Sequence, residues 1–124
     1  MRCRTARGPG HAGAVTRLIL ASASPRRHEL LQSIALDFVV EPADVDESEL
    51  PGEDAVAYVD RVARSKADAI ARRLDSLDGV VVLAADTTVD VDGAILAKPV
   101  DDTDARRMLR LLSGRTHLVH TAVV

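Results

Sequence analysis

The stretch GVVVLAADTTVDVDGAIL, residues 79–96, decides the fold. Its first seven residues, Gly79–Ala85, carry no polar side chain, which is typical of a central strand covered on both faces. Thr88–Val91 continues extended, and Asp92-Gly93 favours a type I′ turn because both residue types accept positive φ angles. The stretch therefore predicts a buried strand whose continuation folds back at Ala94–Leu96 as a hairpin.

Hydrophobic periodicity on either side of this stretch predicts strands and helices in alternation. Strands are expected at 17–21, 38–40 and 117–124, and helices at about 25–35, 53–75 and 104–112, the last capped by Thr103. The resulting order, β-α-β-α-β-β-α-β, is typical of an α/β domain with its helices layered on one sheet.

The domain is expected to occupy residues 16–124. Residues 1–15 are basic, hold several glycines and show no periodicity, so we interpret them as a disordered or extended tail. The last predicted strand runs to the final residue. We therefore expect 16–124 to be the N-terminal part of an α/β domain that is truncated at its C-terminus.

Composition argues against several classes of partner. A net charge of −3 provides no basic field for nucleic acid or for an anionic membrane. Phe38 and Tyr58 are the only aromatic residues, too few for a platform that stacks bases. No apolar run approaches the roughly 20 residues of a membrane span. The single cysteine, Cys3, rules out a disulfide within the chain and is compatible with a reducing compartment.

Lysine is rare in this chain and its two positions stand out. Of 16 basic residues only Lys66 and Lys98 are lysines, and the others are arginines. A lysine at such a position indicates a site that requires a compact ammonium and not a planar guanidinium group. Chance explains the occurrence of two lysines equally well. Lys66 also falls on the apolar face of the helix predicted at 53–75. An inward lysine either snorkels to a rim or meets an anion.

Polar groups follow the first predicted strand. Ser22, Ser24, Arg26 and Arg27 lie where this strand ends and a helix begins, with Ser24-Pro25 as the expected N-cap and first turn. Ligands of α/β sheets bind beyond the carboxyl ends of strands, and hydroxyls, guanidinium groups and a helix N-terminus together suit phosphate. A capped helix with two solvated arginines accounts for the same residues.

Several carboxylates are further candidates for the site. Asp86 comes directly after the apolar run and is expected at the mouth of the sheet, as a general base, a magnesium ligand or a turn residue. The acidic loop 41–53 offers Asp44, Asp46 and Glu47 as a second carboxylate, and each of them is also compatible with a solvated loop. Combined with the serines and cations, these residues favour metal-assisted attack of water on a phosphate ester.

Four sequence motifs follow one another along the chain: LASASPRR, KADAIA, LAADTTVDVDGAILAKP and ARRMLRLLSGRTHLVHTAV. Together they resemble the Maf (septum formation inhibitor) family of nucleoside triphosphate pyrophosphatases over residues 17–124. The resemblance implies a Maf/ITPase-like layered α/β fold with an extended twisted sheet and a cleft. It also implies hydrolysis of nucleoside triphosphates to monophosphate and pyrophosphate with Mg²⁺ or Mn²⁺. The family is regarded as cytoplasmic, is often dimeric and is linked to arrest of division, which allows a homodimer here.

The resemblance assigns roles only where a motif matches. Asp86, in AADT, matches the family's proton acceptor. Arg26 and Thr87 match positions that set base specificity, and this pair is typical of the branch that acts on dTTP and UTP. The remaining matches are the phosphate-side residues Ser22, Ser24 and Arg27, the cleft lysines Lys66 and Lys98, and the cleft acid Glu47, with Glu47 and Asp86 as the implied metal ligands.

Two classes of function stay open at this point. The family's domain continues through a further segment that includes a Gln with a part in base specificity. The chain is therefore expected to be a nucleotide pyrophosphatase or, alternatively, a non-catalytic fragment that binds nucleotide or regulates division. Release of pyrophosphate distinguishes the two.

Overall fold

A computed structural model describes residues 17–124 and shows six strands and three helices over that range. The strands are β1 (Arg17–Leu20), β2 (Val39–Val40), β3 (Val80–Leu83), β4 (Ala85–Val91), β5 (Ala94–Leu96) and β6 (Leu118–Val123). The helices are α1 (Pro25–Ser33), α2 (Ala55–Ala71) and α3 (Asp102–Leu112). This mixture confirms the predicted α/β class. The tail predicted at residues 1–15 lies outside the described residues.

The described strands form two sheets of three strands each, so the prediction of a single sheet is wrong. One sheet is parallel with the order β2-β1-β3, and the other is antiparallel with the order β5-β4-β6. The chain passes from one to the other at Ala84, whose main chain exchanges two 2.9 Å hydrogen bonds with Val124. Pairing therefore changes partner, from β1 to β6, inside one extended segment.

The apolar run does not take the central position that its composition predicts. Among the described strands β1 lies in the middle of the parallel sheet, and β3 pairs on one side only. Val81 is 42% exposed, so the strand is also not covered on both faces as predicted. An apolar run of this length indicates burial, but it does not tell which of two neighbouring apolar strands has partners on both sides.

Helix α2 packs against both sheets and supplies much of the core. Ile70 is fully buried in a cluster with Ile19, Ala21 and Ala84, which brings α2, β1 and the β3–β4 junction together. Further along the same helical face, Val59, Val62 and Ala63 are buried as predicted. Val56, expected on this face, is 58% exposed, whereas Ala55 and Tyr58 are the buried residues of the first turn, so the prediction is wrong at this position.

Turn and cap chemistry explains where the elements end. Asp92 and Gly93 both have positive φ angles, 51° and 83°, which confirms the tight hairpin between β4 and β5. Helix α3 begins earlier than predicted, since Asp101 and not Thr103 is its N-cap and accepts a hydrogen bond from the Asp104 amide at 2.7 Å.

None of the helices in residues 17–124 is long and apolar enough to cross a membrane.

Candidate active site

An ammonium group bridges two carboxylates at the centre of the candidate site. Lys66 Nζ lies 2.7 Å from Glu47 Oε1 and donates a 2.9 Å hydrogen bond to Asp86 Oδ1. Lys66 comes from α2, Asp86 from β4, and Glu47 from the loop between β2 and α2. Helix, strand and loop thus meet at one point. The inward direction predicted for Lys66 is confirmed, because its side chain is only 12% exposed.

Asp86 lies inside a strand and not at a strand end as predicted. It is the second residue of β4 and pairs with Ala122 of β6. The strand continues because β6 provides the new partner that β1 no longer supplies beyond Leu83. Successive side chains of a strand point to opposite faces, so Asp86 and Thr88 are buried on one face while Thr87 is exposed on the other.

The carboxylates contribute to raised pKa values of two neighbouring side chains, Lys66 and Tyr58. Burial by itself lowers the pKa of Lys66, but the hydrogen bonds and charges of Glu47 and Asp86 outweigh it and raise that pKa above its ordinary value. Lys66 is therefore a permanent cation at neutral pH. Burial, together with the charges of Asp86 and Glu47, raises the pKa of Tyr58, which lines the same cavity.

The serine- and arginine-rich strand end lies directly beside this cluster. Arg27 donates to Ser22 Oγ at 3.4 Å and to Thr87 Oγ1 at 3.2 Å. Ser22 Oγ also accepts a hydrogen bond from the Ser24 amide at 3.1 Å, whereas the Ser24 side chain makes no capping bond to α1. The guanidinium group is thus held between β1 and β4. In this position it can meet an anion that enters between the two sheets.

Three adjoining cavities, all lined by Ser24 and Arg27, bring the nine predicted site residues together. The first, of about 200 Å³, is also lined by Glu47, Lys66, Asp86, Thr87 and Lys98. The second, of about 190 Å³, adds Ser22 beside Glu47, Lys66 and Lys98. The third, of about 580 Å³, is largely apolar and adds Arg26 beside Thr87.

The charges of the first cavity favour an anionic ligand. Arg27, Lys66 and Lys98 line it as cations, and Glu47 and Asp86 as carboxylates. The two carboxylates already share one of the three cations, which leaves Arg27 and Lys98 for a ligand. Multiple negative charges, as in a polyphosphate, match this arrangement.

Several lining residues were not predicted from the sequence. Tyr58 is not among the predicted site residues, although its position on the buried face of α2 indicates that it points toward the site. Thr121 faces Thr87 across β4 and β6, a register that periodicity does not reveal. Of the other loop acids, Asp44 lines the second cavity, while Asp46 binds Ser48 and lies outside the three cavities.

Glu47 and Asp86 have the donor chemistry of a Mg²⁺ site. Their oxygens already converge on one cation, the Lys66 ammonium, so a cation fits between them. Mg²⁺ is usually bound by one or two carboxylates together with water and substrate phosphates. Within residues 17–124 no group of three or more His, Cys, Asp or Glu side chains could hold a metal. Substrate oxygens and water would be among the further ligands.

Fold and site together define an α/β domain with a mixed-charge cleft between two sheets. The family model described as "Maf-like protein" matches residues 17–124. The chain belongs to this Maf family.

Similar proteins carry one recurrent name. The chain is 56% identical over 109 residues to a dTTP/UTP pyrophosphatase of Methylobacillus flagellatus, covering 88% of this chain and 54% of the relative. It is 54% identical over 110 residues to a dTTP/UTP pyrophosphatase of Chromobacterium violaceum, covering 87% and 56%. A third, from Hahella chejuensis, is 50% identical over 107 residues, covering 86% and 53%. The chain thus spans about half the length of the curated relatives that it matches.

Proposed function

We propose that this domain hydrolyses nucleoside triphosphates, with dTTP and UTP as substrates, to nucleoside monophosphate and pyrophosphate. The observation that carries the proposal is the bridge of Lys66 between Glu47 and Asp86, facing a cavity with two further cations. The names of the relatives support the choice of substrates.

Binding of the triphosphate is assigned to the strand end and the two lysines. Arg27 and Lys98 are the cations that the carboxylates leave available, and Ser22 and Ser24 add hydroxyls from the loop before α1. Guanidinium, ammonium and hydroxyl groups are the donors that phosphate oxygens accept from. A phosphate chain in the first two cavities would lie directly against the carboxylate cluster.

Asp86 is the proposed general base. The hydrogen bond of Lys66 is accepted by Oδ1, so Oδ2 is the oxygen available to take a proton from water. The water oxygen forms a bond to phosphorus, the bridging P–O bond between the α and β phosphates breaks, and pyrophosphate leaves. The water proton passes to Asp86 and from there to solvent. Lys66 stays protonated and offsets charge on the phosphate oxygens.

Glu47 and Asp86 would hold the divalent metal, Mg²⁺ or Mn²⁺, that we include in the proposal. When bound, such a metal neutralises charge on the phosphates and polarises the phosphoryl group. The fit of the two carboxylate oxygens to a shared cation supports this assignment. The two carboxylates would then contact the metal in place of the Lys66 ammonium.

The nucleobase is assigned to the side of the third cavity. Arg26 and Thr87 line this cavity, and its largely apolar wall suits the face of a base. Thr87 belongs to both the first and the third cavity, so it lies where phosphate and base sites would meet. This position supports its assignment to base selection.

We extend the proposal to the cellular setting of the family. The protein is assigned to the cytoplasm, to nucleotide metabolism with a link to septum formation, and to a homodimer that binds neither nucleic acid nor membrane. The resemblance to the family supports the assignments to the cytoplasm, to nucleotide metabolism and to a homodimer. The net charge of −3 supports the expectation that the protein binds neither nucleic acid nor membrane.

Release of pyrophosphate tests the proposal. The purified chain is incubated with Mg²⁺ and with dTTP, UTP or CTP in parallel. Pyrophosphate from dTTP and UTP in excess over CTP is expected. Binding of dTTP without release of pyrophosphate would contradict the proposal that this chain hydrolyses nucleotides. It would favour the alternative, a nucleotide-binding or division-regulating fragment. Equal release from all three would overturn the substrate assignment.

A further inference from the structure

The loop that carries Glu47 has no secondary structure of its own. It runs from the end of β2 at Val40 to the start of α2 at Ala55, and Glu47 lies near its middle with its side chain 48% exposed. A carboxylate on an irregular exposed segment samples many positions unless other groups fix its backbone. The 2.7 Å contact between Glu47 and Lys66 therefore needs a separate cause.

The first fixing contact comes from Tyr58. Its hydroxyl donates a 2.7 Å hydrogen bond to the main-chain carbonyl of Glu47. The Tyr58 ring is buried in the first turns of α2, only 4% exposed, so the hydroxyl is presented from a rigid base. The contact holds the backbone of Glu47 and leaves its carboxylate free for Lys66.

The second fixing contact comes from Arg61, one turn further along the same helix. One guanidinium nitrogen, Nη2, donates to the Ser48 carbonyl at 2.8 Å and to Glu53 Oε2 at 2.9 Å, and Nε donates to Glu53 Oε1 at 2.6 Å. The guanidinium group also stacks over the Tyr58 ring, 5.6 Å from its centroid. Two adjacent loop carbonyls, of Glu47 and Ser48, are thus held by two residues three apart on α2.

We propose that Tyr58 and Arg61 are positioning residues that hold Glu47 against Lys66. The inference deepens the proposed function, on which its catalytic relevance rests. We call the contacts of Tyr58 and Arg61 with this loop the clamp. Helix α2 carries Lys66 as well as Tyr58 and Arg61, so the distance between the Lys66 ammonium and the Glu47 carboxylate is set by one rigid unit. The geometry of the carboxylate cluster then depends on residues that need not touch substrate.

Trace acetylation of lysine tests the clamp without any nucleotide. The chain has two lysines only, so mass spectrometry of trace-acetylated protein gives the rate at Lys66 relative to Lys98 as an internal reference. Lys66 is protonated and enclosed by Glu47 and Asp86, whereas Lys98 is exposed and forms no ion pair with a carboxylate in residues 17–124. The ratio is therefore expected to be low in the native chain and to rise when Glu47 leaves Lys66.

Tyr58→Phe removes a single hydroxyl and keeps the buried ring. We expect it to raise the Lys66:Lys98 ratio about two- to tenfold, the range of one hydrogen bond. Arg61→Gln should act in the same direction. The matched control is Arg64→Gln on the same helix, which loses an exposed ion pair with Asp60 and should leave the ratio unchanged.

A double-mutant cycle separates positioning from general loosening of α2. Glu47→Gln should raise the ratio, and Tyr58→Phe in that background should add no further increase. An unchanged ratio in Tyr58→Phe, or an equal increase with and without Glu47, would overturn the proposal. Circular dichroism checks the fold, and Arg61→Gln replaces Tyr58→Phe in the cycle should the latter unfold. Pyrophosphate release is scored separately, so the clamp and the enzymatic activity can fail independently.

Discussion

Lys66 and Asp86, twenty residues apart, meet across a helix and a strand with 2.9 Å between Nζ and Oδ1. A second carboxylate, of Glu47, reaches the same ammonium at 2.7 Å. In the free protein the space between two acids is thus held by an internal cation. A divalent metal held by both carboxylates would have to replace this contact, and most of the following predictions depend on it.

Loss of the proposed general base should separate chemistry from binding. Asp86→Asn keeps the shape of the side chain and removes its basic oxygen, so hydrolysis of dTTP should fall by about 10²–10⁴ while dTTP still binds. Pyrophosphate release and calorimetric titration measure the two effects. Asp92→Asn is the matched control, because Asp92 is exposed in the hairpin turn, where Asn is equally suited. Turnover of Asp86→Asn within tenfold of the native rate would contradict the assignment.

Removal of the internal cation should strengthen metal binding in the free protein. In Lys66→Met the carboxylates of Glu47 and Asp86 lose their shared partner, and Mn²⁺ should bind at least about tenfold more tightly without nucleotide. Electron paramagnetic resonance of free Mn²⁺ measures the affinity. Lys98→Met removes a cation from the same cavity without disturbing either ion pair. Equal gains in both variants would show a general charge effect and not competition at the carboxylates.

Alkaline titration should report the electrostatics of the site through a single group. Tyr58 is the only tyrosine and the chain has no tryptophan, so the tyrosinate absorbance belongs to Tyr58 alone. Burial and the charges of Asp86 and Glu47 raise its pKa above the ordinary value of about 10. Because the folded pKa is raised, the unfolded chain loses this proton first, and stability falls as pH rises through that range. Asp86→Asn should lower the pKa of Tyr58. An unchanged Tyr58 pKa in this variant would contradict the placement of the Asp86 charge close to the Tyr58 hydroxyl.

The paired threonines should influence the choice of base. Thr87 Oγ1 lies 2.9 Å from Thr121 Oγ1 and also accepts from Arg27. Thr121→Val removes one partner of the Thr87 hydroxyl, so the preference for dTTP over CTP should change about two- to tenfold with little effect on stability. The ratio of kcat/KM for the two nucleotides measures it. Thr116→Val, on an exposed loop residue, is the control and should leave this ratio unchanged.

The junction of helix and sheets should dominate stability. Ile70 is fully buried against Ile19, Ala21 and Ala84, so Ile70→Ala should lower the free energy of unfolding by about 2–5 kcal/mol. Val56→Ala, on the same helix but 58% exposed, should cost far less. Urea unfolding of both variants checks the difference. Similar losses at the two positions would contradict the described packing of α2.

Local sequence patterns were sufficient to predict most of the helices and strands. The Asp92-Gly93 turn, the apolar face of α2 and the inward Lys66 follow from short-range rules of φ angle and periodicity, which act within a few residues. Motif resemblance pointed to the nine site residues, and the structure places them around three adjoining cavities, although their roles stay predictions.

Only the tertiary structure decided how these pieces are joined. The change of strand partner at Ala84, the interior position of Asp86 and the clamp of Tyr58 and Arg61 on the Glu47 loop all depend on contacts between residues distant in sequence. An apolar run indicates that a strand is buried, but it carries no information about which strand it pairs with or where that pairing changes. Partner choice is set by packing of the whole chain, and for that reason the geometry of the candidate site followed only from the tertiary structure.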